Sequence, residues 1–77
     1  NPFKSRTTFK YELVELSEVT FRFYDVNNKI IFEKNEGLKP KGIHTFTFLE
    51  ENLKSGIYFC EMISGKWRST KTMVKIE

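Results

Sequence analysis

The side chains able to do chemistry are few and scattered. The 77 residues include one His, one Asp and one Cys. Four-coordinate zinc sites draw on several Cys and His ligands, so no metal centre is expected. A single Cys cannot close an internal disulfide, and it says nothing about the redox surroundings. Nucleophilic or acid–base catalysis needs a nucleophile beside a base, or two carboxylates with divergent pKa values. Asp25 stands at a candidate hairpin, where Asp commonly bonds backbone. Glu50-Glu51 lies in a polar connection, and His44 falls on an apolar strand face as a core or rim residue. The plentiful Ser and Thr match no signature with His and Asp. The four Gly are scattered at turns and form no phosphate-binding loop. No catalytic, cofactor-binding or metal-ligating residue is assigned, and the chain reads as non-enzymatic.

The elements that would position these residues are strands. Twelve aromatics, six Ile, four Val and seven Thr stand against no Ala at all. Strand-favouring types thus dominate while the best helix former is missing, which excludes a helical bundle or a coiled coil. The longest apolar run is far too short to span a bilayer, so direct membrane insertion is not expected. The length allows one core and hence one domain, residues 1–77. The start at Asn1-Pro2, with no leader, reads as a piece cut from a longer secreted protein.

Alternation assigns the faces. Thr7–Leu13 puts Phe9, Tyr11 and Leu13 on one side, and Val19–Tyr24 turns Val19, Phe21 and Phe23 inward. Asn27-Asn28 predicts a two-residue hairpin turn, followed by a strand from Lys29 to Lys34. Asn35–Gly42, with two Gly and a Pro, predicts a loop. Gly42–Phe48 places His44, Phe46 and Phe48 together. Gly56–Ile63 is apolar on both sides, as expected in mid-sheet, and Trp67–Ile76 is the last strand. Such spacing predicts an all-β fold, a small immunoglobulin-like antiparallel β-sandwich of about seven strands.

Leu53-Lys54-Ser55-Gly56-Ile57-Tyr58 carries the Gly-x-Tyr spacing of a tyrosine corner. Cys60, two residues on, occupies the place of an immunoglobulin disulfide Cys whose partner position holds Phe, and it is expected as a small buried hydrophobe. The net charge of +3 raises nucleic acid. Arg22, Lys29, Lys66, Arg68 and Lys71 beside Trp67 and Tyr24 could form a stacking face. Acidic residues are interspersed among them, however, and no nucleic-acid partner is expected. The segment Ser69–Glu77 runs apolar and basic. It reads either as an edge strand blunted by lysines or as a strand that a partner captures by backbone pairing.

Taken in order, Asn1-Pro2-Phe3, Thr7–Leu13, Val19–Val26, Gly42-Ile43-His44, Leu53–Phe59 and Lys71–Ile76 resemble the type A C-terminal sorting domain of the bacterial type IX (Por) secretion system. The resemblance spans the whole chain and departs from it at Asn27-Asn28, where the family usually has a Gly. It implies a passive address label at the end of a cargo protein that is continuous with its N-terminus. The implied partners are the outer-membrane secretion machinery, including a shuttle and a sortase-like protease that cuts before or near Asn1. The implied route is through the periplasm to the cell surface or medium. The implied recognition residues are Gly56 and Tyr58, with Lys71, Met73, Val74, Lys75 and Ile76. An immunoglobulin-like accessory module that binds carbohydrate through Tyr24 or Trp67, or that spaces domains, is the alternative.

Overall fold

The computed structural model describes residues 2–77. Its seven strands are β1 (Pro2–Phe3), β2 (Arg6–Leu13), β3 (Ser17–Tyr24), β4 (Ile30–Lys39), β5 (Gly42–Leu49), β6 (Gly56–Ser64) and β7 (Trp67–Lys75). They form two layers. One sheet has the order β1-β7-β6-β3-β4, and β2 pairs with β5 in the other. All pairs are antiparallel except β1 with β7, which run parallel. The expected small sandwich is therefore present, closed by one short parallel pair.

Alternation fills the space between the layers. Val19, Phe21 and Phe23 of β3 are buried, as are Tyr11 and Leu13 of β2 and Phe46 and Phe48 of β5. Phe21 stacks on Phe46 with ring centroids 4.3 Å apart, and Phe23 stacks on Phe48 at 4.0 Å. Aromatic rings supply large buried area for few rotatable bonds, which suits a short core without disulfides. Phe3 joins this core at 6% exposure, edge-on to Phe48.

Two expectations about the β3–β4 hairpin need correction. The turn centres on Val26-Asn27 rather than Asn27-Asn28. Asn28 N–H donates to Asp25 O, Asp25 N–H donates to Lys29 O, and only Asn28 takes positive φ, at 64°. This is a three-residue loop ending in a left-handed residue, and Asn tolerates that backbone. Asp25 Oδ1 caps it by accepting from the N–H groups of Asn27 and Lys29. The predicted loop at 35–42 is instead mostly strand, because β4 continues to Lys39. Its register shifts opposite Val19 and Thr20, where Gly37 has φ 79°. Gly37 marks a bulge inside a strand, and a bulge carries the same glycine signal as a turn. His44 lies at the rim, its Nε2 within 2.8 Å of Pro40 O.

β6 is the central strand of the five, yet only one of its faces is covered. Cys60, Tyr58 and Ser64 point into the core, whereas Ile57 on the other face is 48% exposed. The apolar character on both sides of β6 thus marks an open outer face rather than a doubly buried strand.

Candidate functional site

Tyr58 begins the candidate site. It is buried, and its hydroxyl donates to Lys54 O at 2.6 Å, which is the bond that defines a tyrosine corner. Gly56, two residues earlier, has φ 150°, a conformation that disfavours any L side chain. Gly-x-Tyr is therefore one local device: Gly56 admits the chain into β6 and Tyr58 ties the strand start to the preceding loop.

The register places β7 beside this device. Gly56 pairs with Lys75, Ile57 with Val74, and Tyr58 with Met73. Directly paired residues share a face, so Met73 and Lys75 point inward with Tyr58 and Gly56. Met73 is 1% exposed. Lys75 is also buried, its Nζ donating to Ile76 O at 3.1 Å. Opposite it stands a glycine with no side chain. The aliphatic stem of Lys75 can bury while its ammonium keeps a partner.

The seven predicted recognition residues are thus brought together, and they divide. Gly56, Tyr58, Met73 and Lys75 build the fold. Lys71, Val74 and Ile76 present side chains to solvent. Lys71 lies in the inward row opposite Cys60 with its side chain exposed, while Val74 and Ile76 alternate to the outer face. A partner touching all three must approach the sheet along its edge. That edge is not bare at its tip: Pro2 and Phe3 pair with Val74 and Lys75, and Ile76 N–H donates to Phe3 O at 2.8 Å. The expected free edge strand is open only from Trp67 to Met73 among the described residues.

Sequence reasoning missed the neighbours on the outer face. Ile57 flanks Val74, and Tyr24 pairs with Phe59 and with Ile30, extending an apolar surface across β6, β3 and β4. The signal was the outward half of the alternation in β6.

The competing surfaces do not assemble. Tyr24 lies on the outer face, its hydroxyl donating to Glu61 at 2.9 Å, whereas Trp67 pairs with Ser64 on the inner side, 74% exposed. They make no common platform for a sugar. The basic residues are divided as well. Arg22 is paired with Glu33, and Arg68 meets Glu61 at 3.2 Å, so both arginines are neutralised in an outer-face row. Cys60 is buried, and burial pushes its thiol up to about 12, only partly offset by nearby Lys71. It is a core side chain and not a reactive thiol.

The family description "Secretion system C-terminal sorting domain" matches residues 1–77, the entire chain. The chain belongs to this family. It is the sorting-signal domain of type IX secretion, which directs its carrier toward the cell surface or the extracellular space. A sorting domain of this kind has its cargo attached at the N-terminus. No curated protein and no solved structure matches the chain.

Proposed function

We propose that residues 1–77 form the C-terminal address label of a longer secreted protein, read by the outer-membrane secretion machinery and inert as a catalyst. The cargo crosses the periplasm folded to this label, a shuttle delivers it, and a sortase-like protease cuts near Asn1. The label is read at Gly56, Tyr58, Lys71, Met73, Val74, Lys75 and Ile76, with a division of labour. Tyr58, Met73, Lys75 and Gly56 fix the position of β7, and Lys71, Val74 and Ile76 meet the partner.

The observation that carries this reading is the pairing of the Gly-x-Tyr start of β6 with the end of β7, which gathers all seven residues at one corner of the sheet. A signal peptide and reporter fused ahead of residues 1–77 should become extracellular in a host with the type IX system. Ile76→Glu and Lys71→Glu, both at exposed positions, should retain the reporter in the periplasm while leaving the thermal midpoint of the isolated domain nearly unchanged. A reporter that stays periplasmic with the unaltered domain sinks the reading. Export undiminished by both substitutions removes these residues from the contact.

A further inference from the structure

The pair that closes the sheet is short. β1 contributes only Pro2 and Phe3, parallel to Val74 and Lys75. Ile76 N–H donates to Phe3 O, so Val74 and Ile76 turn their backbone groups toward β1. Successive residues of a strand direct these groups to opposite sides. Thr72, Thr70 and Arg68 therefore aim their N–H and C=O groups the same way. From Trp67 to Met73 nothing among the described residues pairs with that side. This stretch has no proline and no register shift against β6, and all of it but Met73 is exposed. An extended, unpaired edge of this kind is a template for another strand.

The direction of β1 selects which strand. Because β1 is parallel to β7, the chain traced backward from Phe3 heads toward Trp67. The register keeps an offset of 72 in residue number, Pro2 with Val74 and Phe3 with Lys75. The open stretch Trp67–Met73 is seven residues long, so the seven residues preceding Pro2 match it one for one.

We propose that the segment joining the cargo to this domain continues β1 along β7 as a parallel strand, hydrogen-bonded to Thr72, Thr70 and Arg68. The inference rests on the cargo lying N-terminal to the domain, and not on which residues the receptor reads. The edge accepts a segment with no proline at the alternate positions that, like Phe3 and unlike Pro2, turn their backbone groups toward β7. A carboxylate two residues before Asn1 falls beside Lys71, where opposite charges across a pair are favourable. While the linker is docked, the backbone of the sorting strand is covered on both sides. Cutting or pulling away the linker uncovers it.

Amide hydrogen exchange tests this by comparing the 77-residue chain with the same chain carrying about ten of its natural upstream residues. In the longer chain the amides of Arg68, Thr70 and Thr72 slow by roughly tenfold or more, while Ile76 is protected in both. Equal exchange in the two chains overturns the proposal. So does a slowing that grows with protein concentration, which assigns the edge to a second copy. The register is tested by Thr70→Cys together with a cysteine three residues before Asn1. Mild oxidation should join them, since directly paired strand positions lie within disulfide reach. The same cysteine moved by one residue faces the other side and should not react. Equal cross-linking from both positions, or none from either, refutes the register. Both measurements are independent of export, so a failed secretion assay leaves this inference standing and the reverse also holds.

Discussion

Met73→Ala separates a residue that builds the label from one that is read. Met73 lies in the last strand among the implied recognition residues, yet it is 1% exposed and pairs with the corner tyrosine Tyr58. Truncating a fully buried Met to Ala costs about 2–5 kcal/mol in transfer and cavity terms. A 77-residue domain at about 0.05–0.15 kcal/mol per residue holds roughly 4–12 kcal/mol in all. The substitution thus removes a large share of the total. At roughly 4–8 °C per kcal/mol for a domain of this size, the thermal midpoint falls by about 8–40 °C. Far-UV circular dichroism, followed on heating and in a urea series, is the suitable assay, because Trp67 is 74% exposed and reports folding poorly. The urea midpoint should drop with the slope unchanged, as for lost stability without a changed denatured state. A fall of less than about 4 °C, equivalent to under 1 kcal/mol, would refute the placement of Met73 in the core. Lost export with unchanged stability would make Met73 a contact residue instead.

Other consequences are smaller or more local. Gly56→Ala forces a side chain onto φ 150° and should cost about 1–3 kcal/mol by urea denaturation, although the space beside Gly56 is open. Tyr58→Phe deletes the bond to Lys54 O and should cost about 0.5–1.5 kcal/mol; no change would mean that the corner bond adds nothing. Cys60 should resist a thiol reagent at pH 8 and react only at the rate of unfolding, whereas rapid labelling of the native protein would place it at the surface. Burial raises the folded thiol to about 12 from the ordinary 9. The unfolded chain therefore loses this proton first, and the thiol's contribution to stability is present below pH 9 and lost as the pH rises toward 12. Cys60→Ala should flatten that alkaline decline, and an unchanged slope assigns the decline to other groups.

Where one face is buried and the other wet, the sequence was explicit. Val19-x-Phe21-x-Phe23 and Phe46-x-Phe48 each named their inward row, and the structure places those rows in the core. What alternation does not encode is which strands are neighbours. The five-plus-two division and the parallel β1–β7 pair depend on contacts across the whole chain. Gly37 misled because a glycine inside a strand and one ending a strand give the same local signal. The candidate site was legible as a set and illegible in its division. Lys71 and Lys75 are identical by type, and only the pairing with Gly56 buries Lys75 and leaves Lys71 in water.

Closure of the sheet by its first and last strands also sets when the label can exist. Within this domain Pro2 and Phe3 are made before Val74 and Lys75, their partners across nearly all of residues 1–77. A polypeptide interrupted before Trp67 lacks β7 altogether and leaves β6 with a bare flank. Such a fragment lacks the corner where Gly56 meets Lys75, and with it the surface proposed above to be read.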